Sequence, residues 1–237
     1  MADKYLLLWL EAPLQAWGHD SKFGRRDSLD FPTKSGVLGL LCCARGAGGE
    51  EVEWLAQFAS LDMRVLAFVS EGKNKNEVIR QPLMMDFQMV GSGYDDKDPW
   101  QNLLIPKKND GGKPDNSPGT KMTYRYYVQD MTFAVLLQVP QTFVNEITEA
   151  LCNPVWDLYL GRKNCVPTEF IYQGVFDSIE RAITAGNLKA KAKNKALAFK
   201  VLQGEYEGEI ITLNDVPLQF GGHKKYRDRR VTVQKIE

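Results

Sequence analysis

The pattern of apolar and polar positions predicts a mixed fold of short strands and helices. Short continuous apolar runs are typical of buried strands, whereas apolar residues three and four positions apart are typical of helices. On this basis we expect strands at 5–10, 64–69, 124–128, 131–139 and 170–172, and helices at 34–45, 52–58 and 143–151. The main elements of the first ~175 residues run strand, helix, strand, long arm, strand, helix, strand, which is the βαββαβ pattern of a ferredoxin-like (RRM-type) sheet, so the expected fold class is α+β.

The first helix organises the prediction for the rest of the chain. Thr33 is suited to cap its start, and Arg45 followed by Gly46 is a common helix stop. Gly36 and Gly39 each cost roughly 1 kcal/mol relative to alanine inside a helix, so a close approach of another backbone is expected to compensate.

The start of this helix is predicted to bind an anion. No acidic residue lies between Phe31 and Arg45, and the basic residues Lys22, Arg25 and Arg26 precede the helix. Free backbone amides at a helix N-terminus bind phosphate readily. The alternative is an ordinary buried helix that packs tightly on a sheet, and the residues alone do not decide between the two.

Residues 81–123 are rich in glycine and proline, and they predict a long hairpin-like arm with Lys107, Lys108 and Lys113 near its tip. A merely flexible surface insertion is the alternative. The strand that follows places Arg125 among tyrosines that include Tyr126 and Tyr127, a composition suited to stacking of nucleic-acid bases. The same residues also suit an ordinary amphipathic strand.

The last sixty residues are predicted to form a separate small β-rich part. Lysines at 189, 191, 193 and 195 would share one face if this stretch were extended, although a solvated lysine face is the commoner meaning of such a run. Residues 221–230 are strongly basic and contain Tyr226, which favours an edge that contacts phosphate or a partner.

Composition limits the possible functions. The 30 basic and 30 acidic residues give a formal net charge of zero, so any nucleic-acid surface must arise from segregated charge. The four cysteines form no CxxC pair, which indicates mostly buried, reduced thiols rather than a metal site or a disulfide framework. No apolar run reaches membrane-spanning length, and we expect a cytoplasmic protein. We predict no cofactor and no metal.

Four blocks of the sequence resemble the CasD family, the RAMP-superfamily subunit of type I-E CRISPR Cascade complexes. They are YLLLWLEAPLQAWG at 5–18, FGRRDSLDFPTKSGVLGLL at 23–41, YRYYVQDMTFAVLL at 124–137 and LYLGRKNCVPTEFIYQG at 158–174. The blocks fall in the family's order, and the second and fourth are specific to it. The arm and the last sixty residues match only loosely.

This resemblance implies a ferredoxin-like RNA-binding domain at 1–176 with a thumb insertion at about 81–123, and a small β-rich subdomain at 177–237. It implies a non-catalytic subunit that holds the 5′ handle of the guide RNA, caps the backbone filament, and contacts the backbone subunit and the large subunit. No membrane partner is expected. The RNA-binding residues that follow from the resemblance are Lys22, Arg25, Arg26, Thr33, Lys34, Ser35, Gly36, Gly161, Arg162 and Lys163, with thumb contacts at Lys107, Lys108 and Lys113. The residue types themselves add Trp17, Arg125, Tyr126 and Tyr127, since bases can stack on these aromatic rings beside an arginine.

Two alternatives stay open. A metal-independent endoribonuclease that processes repeat RNA needs a base, an acid and a cation around one phosphate, and His19, Tyr126 and Lys34 could supply them. The second alternative is a structural adaptor without RNA contact.

Overall fold

The computed structural model describes residues 4–19, 21, 24–71, 80–90, 97, 99 and 121–236. In chain order, the strands of this part of the chain are β1 (Lys4–Glu11), β2 (Leu14–Gln15), β3 (Arg25–Arg26), β4 (Met63–Ser70), β5 (Met84–Val90), β6 (Lys121–Gln129), β7 (Thr132–Val139), β8 (Tyr172–Phe176), β9 (Lys195–Gln203), β10 (Glu209–Gln219) and β11 (Lys225–Lys235). The helices are α1 (Lys34–Arg45), α2 (Val52–Phe58), α3 (Val144–Cys152) and α4 (Ile179–Ala192).

One large antiparallel sheet forms the centre of the fold. Its strand order is β10-β11-β9-β4-β7-β1-β8. Strand β7 lies between β1 and β4 and is antiparallel to both, while β8 pairs with the other edge of β1. The expected α+β class is confirmed, with sheets that are mostly antiparallel.

Helices cover the two faces of this sheet because strand side chains alternate in direction. Leu6, Leu8 and Leu10 of β1 belong to the larger core, together with the buried residues of α1, α2 and α3. Leu7 and Trp9 point to the opposite face and pack with buried residues of α4. Strand β1 is therefore buried on both sides, which explains its continuous apolar run.

A smaller sheet beside the first one carries the candidate site. Strand β6 is antiparallel to β2 and to β5, and it is parallel to β3. The antiparallel pairing of β5 with β6 agrees with the hairpin expected for the arm. Lys107, Lys108 and Lys113, predicted for its tip, lie outside the described residues.

The structure corrects three expectations. Residues 179–192 are helical, so the lysines at 189 and 191 do not lie on an extended strand. The strand expected at 170–172 begins at Tyr172 and ends at Phe176. The cysteines are only partly buried, since Cys152 is exposed. In addition, β9 pairs with β4, so strands of the last sixty residues extend the central sheet. The division of the chain into two parts after residue 176 stays a prediction.

Candidate nucleic-acid interface

Helix α1 has the boundaries that the sequence predicts. The Thr33 hydroxyl accepts a hydrogen bond from the Gly36 amide at 3.1 Å. At the other end, Gly46 takes a left-handed conformation with φ of 70° and donates to the carbonyls of the last turn. The predicted N-cap and helix stop are therefore both confirmed.

The N-terminus of α1 does bind an anion, but the anion is a side chain of the same protein. The Asp215 carboxylate on β10 accepts the backbone N–H of Lys34 at 2.7 Å. The Arg229 guanidinium on β11 donates two hydrogen bonds to this carboxylate, at 2.7 and 2.9 Å. Asp215 and Arg229 are both buried. The expectation of free amides at this helix start is wrong for Lys34 and Gly36.

The Lys34 side chain is fully buried, with 0% of its surface exposed. Its ammonium nitrogen donates to the carbonyl oxygens of Leu61 at 2.5 Å and Ala59 at 3.4 Å. Desolvation and the positive charge of nearby Arg229 lower the pKa of Lys34 to about 7. The predicted RNA contact through this ammonium is wrong in this arrangement, because the group is enclosed beneath the end of α2.

The two glycines of α1 have different surroundings. A Cβ atom on Gly36 would lie 2.9 Å from the Thr33 hydroxyl and 3.0 Å from the Trp17 ring, so Gly36 is needed for close packing. A Cβ atom on Gly39 would meet nothing within 4 Å. The expected compensation therefore exists at Gly36, where a side chain rather than another backbone approaches.

Two exposed arginines form the short strand β3. Arg25 and Arg26 are aligned with Tyr124 and Arg125 of the parallel strand β6. The Arg25 guanidinium lies 4.9 Å from the centre of the Tyr126 ring, and its Nε donates to Asp27 at 2.8 Å. An exposed cation beside an aromatic ring is an arrangement that binds both phosphates and bases.

Arg162 joins the two strands β3 and β6. Its guanidinium donates to the Arg26 carbonyl at 2.9 Å and to the Tyr126 carbonyl at 3.2 Å, so it joins β3 to β6. The same group lies 4.5 Å from the centre of the Tyr127 ring. Arg162 thus contributes to the interface mainly by fixing the backbone of the two strands.

Gly161 packs closely against the backbone of Ala16. Its φ of 94° is in the region that favours glycine, and an added Cβ would lie 1.6 Å from the Ala16 carbonyl oxygen. The backbone N–H of Ala16 also donates to Leu160 at 3.0 Å. A side chain at position 161 would therefore push the loop around Gly161 away from the segment at Ala16.

A cleft of about 500 Å³ lies between these loops and α1. Ser35, Gly36 and Gly39 of α1 line one side, and Gly161, Lys224 and Tyr226 line other parts of the wall. Lys224 and Tyr226 were recognised in the sequence only as part of a basic segment. Their position in the cleft depends on the turn between β10 and β11, which local pattern does not reveal.

The other predicted contact residues divide into accessible and buried groups. Lys163 is exposed, whereas Ser35 and Arg125 are half-buried. Trp17 and Tyr127 are each only 1% exposed, and Thr33 is buried as well. The expectation that these two rings stack on bases is wrong here, because both belong to the main core. Lys22 lies outside the described residues.

The described part of the chain offers neither a metal-binding cluster nor a membrane-spanning helix. Within it, no group of three or more histidine, cysteine, aspartate or glutamate side chains could hold a metal ion. Among its helices, none is both long enough and apolar enough to cross a membrane.

Comparisons with known proteins agree with the likeness seen in the sequence. A sequence model of the family described as "CRISPR-associated protein (Cas_Cas5)" matches residues 5–232. The "CRISPR system Cascade subunit CasD" of Escherichia coli (strain K12) is 28% identical over 173 residues, which cover 72% of this chain and 70% of that protein.

Two solved structures are also similar. A chain of a "CRISPR RNA-guided surveillance complex" superposes with a TM-score of 0.69 at 25% identity, covering 98% of this chain and 90% of that one. A "Crystal structure of Cas protein" gives a TM-score of 0.62 at 25% identity, with 98% and 94% coverage. Since the family match extends over nearly the whole sequence, this chain belongs to the Cas5 family of CRISPR-associated proteins.

Proposed function

We propose that this chain is a non-catalytic RNA-binding subunit of a type I CRISPR Cascade effector, of the CasD kind found in type I-E systems. In this role it holds the 5′ handle of the guide RNA and caps one end of the backbone filament in antiviral defence. Its protein partners are the backbone subunit and the large subunit. The observation that carries the proposal is the pair of exposed arginines Arg25 and Arg26, bound through Arg162 to the loop that lines the cleft at α1, within a member of this family.

The proposed architecture is a ferredoxin-like domain at 1–176 that binds the RNA, followed by a small C-terminal part at 177–237. The order β8-β1-β7-β4 with alternating direction supports this assignment, because a βαββαβ unit places its last strand beside its first and its third between the first and second. The pairing of β5 with β6 supports a thumb that starts from this domain.

The proposed grip on RNA differs from the one that the sequence suggested. Phosphates bind to the exposed residues Arg25, Arg26 and Lys163 and to the accessible wall of the cleft at Ser35 and Lys224, whereas Lys34 stays inside the protein. A single-stranded handle suits this surface, since its backbone can follow cations while its bases are turned outward.

Burial of Lys34 also supports the non-catalytic role. Cutting RNA without a metal needs a cation that reaches the phosphate, and this ammonium is bound to two carbonyl oxygens in the interior. The endoribonuclease alternative therefore lacks one of the three groups suggested for it. Incubation of the purified chain with repeat RNA in EDTA tests this point directly, because specific cleavage that His19→Ala abolishes would overturn the non-catalytic assignment.

The test of RNA binding is the double variant Arg25→Ala/Arg26→Ala. Each lost contact between an arginine and a phosphate on single-stranded RNA should reduce the slope of log K against log salt by about 0.7. The matched control is Arg181→Ala on α4, an exposed arginine on the opposite face of the central sheet. An unchanged affinity and slope in the double variant would contradict the proposal.

A further inference from the structure

One face of the β5–β6 hairpin carries large apolar and aromatic side chains in cross-strand pairs. Side chains two positions apart share a face, and directly opposed residues of an antiparallel pair lie on the same face. The register therefore assembles one surface, here called the hairpin face, from the pairs Met85–Tyr126, Phe87–Tyr124 and Met89–Met122.

The hairpin face is open to solvent. Five of its side chains are exposed, from 38% for Tyr124 to 63% for Met89. Single exposed apolar residues are common on protein surfaces, but a contiguous set on one face marks a binding surface. The face is separate from both cores of the central sheet, because none of these five residues belongs to them.

The side chains are arranged around two aromatic groups. The Phe87 and Tyr124 rings are 5.2 Å apart between centres and tilted by 43°. The Tyr126 hydroxyl lies 3.4 Å from the Met85 sulfur, and the Arg25 guanidinium lies 4.9 Å from the centre of the Tyr126 ring. The face thus presents adjacent rings with a cation at one side.

The charges around the face favour a polyanion over a protein. The six paired side chains of the hairpin face include no acid, and Arg25 shares this face because it is aligned with Tyr124, with its guanidinium also bound to Asp27 at 2.8 Å. Arg26 and Arg125, one register position along, point to the opposite face of these strands, so Arg25 is the cation that this face offers among the paired residues of β3, β5 and β6 that the structure describes. Aromatic rings flanked by arginines are the usual means of holding single-stranded nucleic acid, since bases stack while cations neutralise phosphates.

We propose that the hairpin face is a base-stacking platform for single-stranded RNA, in which nucleobases pack on Phe87 and Tyr124 and the adjoining phosphate binds Arg25. This inference rests on the proposed RNA-binding function and names the part of the surface where bases, rather than phosphates, are held. It includes Phe87, which sequence pattern alone did not indicate as a contact. The methionines beside the rings adapt to bases of different size, so the platform is expected to tolerate different sequences.

The test measures binding of the full chain to a short labelled oligoadenylate by fluorescence anisotropy. Phe87→Leu/Tyr124→Leu keeps apolar side chains but removes both rings, and it is expected to weaken binding by about 5- to 100-fold. The conservative variant Phe87→Tyr/Tyr124→Phe retains both rings and is expected to bind as the unmodified chain does. Val166→Ala/Phe170→Ala, which changes exposed apolar residues elsewhere, is the matched control.

A second RNA separates stacking from charge. An oligoadenylate in which abasic sites replace successive adenosines keeps the phosphates but lacks bases. The unmodified chain should lose affinity for this RNA, whereas Phe87→Leu/Tyr124→Leu should show little further loss, because the interaction has already been removed. Thermal unfolding of each variant verifies that the hairpin change leaves the rest of the fold intact.

Each outcome has a distinct meaning. If the unmodified chain binds RNA and the leucine variant binds equally well, the platform is overturned while the proposed function stands. Loss of a copurifying protein subunit with unchanged RNA affinity would assign the face to a protein and likewise overturn the platform. If the unmodified chain binds no RNA, both the proposed function and this inference fail.

Discussion

The carboxylate of Asp215 accepts the backbone N–H of Lys34 at 2.7 Å, although 181 positions separate the two residues in the chain. This bond connects the β10–β11 hairpin to the start of α1, at the place where the sequence suggested a phosphate site. A helix N-terminus stabilises any nearby anion, so an internal carboxylate and an RNA phosphate are competing solutions to the same requirement. The protein uses its own carboxylate.

Removal of Asp215 is expected to be severely destabilising. Asp215→Ala leaves Arg229 buried without its partner, and the loss of a buried partner of this kind typically costs about 3–5 kcal/mol in the free energy of unfolding. Urea denaturation measures the effect. Asp228→Ala on β11 is the matched control, because that carboxylate is exposed and the change should stay within about 0.5 kcal/mol. Equal effects of the two variants would contradict a stabilising role for the Asp215–Arg229 pair.

Burial of Lys34 predicts a pH-dependent stability. Its pKa is about 7 in the folded chain, below the ordinary 10.5, so between these values the unfolded chain binds more protons. The free energy of unfolding should therefore rise with pH from about 7 to about 10.5, by at most about 1.4 kcal/mol per pH unit from this group. Lys34→Met should lack this component. If the free energies of unfolding of the unmodified chain and of Lys34→Met differ by the same amount at every pH, the prediction is refuted.

The two helix glycines are predicted to respond in opposite directions to alanine. Gly39→Ala has open space for its methyl group and should raise the free energy of unfolding by about 0.5–1 kcal/mol. Gly36→Ala should lower it, because the new Cβ would lie 3.0 Å from the Trp17 ring. Thermal or urea unfolding of both variants checks the direction of each change in the free energy of unfolding. Stabilisation by both would show that the Trp17 ring can move away from the new methyl group at little energetic cost.

Arg162 is predicted to be irreplaceable by lysine. A single ammonium group cannot reproduce the planar guanidinium that donates to Arg26 and to Tyr126 at the same time. Arg162→Lys should therefore release β3, so that amide hydrogens of the segment around Arg25 exchange faster with solvent. The control Lys163→Arg changes the exposed neighbour and should leave exchange unaltered. Unchanged protection in Arg162→Lys would show that strand pairing alone holds β3.

Local sequence signals were sufficient where a structure depends on neighbouring residues. The ends of α1 follow from Thr33 and Gly46, and the continuous apolar run of β1 follows from burial on both faces. Helix α4 had similar signals, since Ser178 caps its start and apolar residues recur at helical spacing. The alternating lysines of its last turns fit an extended strand equally well, so the local pattern alone does not predict this helix.

The site was harder to predict than the fold because exposure is not a local property. Arg25 and Arg26 were selected for their charge and are accessible, as an RNA contact requires. Lys34, Trp17 and Tyr127 were selected for their chemical type, yet all three are buried. Phe87 was missed because its importance comes from its pairing with Tyr124 across the hairpin.

The amino-acid sequence by itself determined the family, the α+β composition and the boundaries of α1, since these depend on residue order and on contacts within a few positions. Only the tertiary structure decided which cations face solvent. Asp215 and Arg229 reach the start of α1 through strand pairing at the far end of the chain, and this long-range contact satisfies the Lys34 amide with an internal carboxylate. The charge of Lys34 was apparent from its residue type, whereas its availability depended on the elements that fold over it.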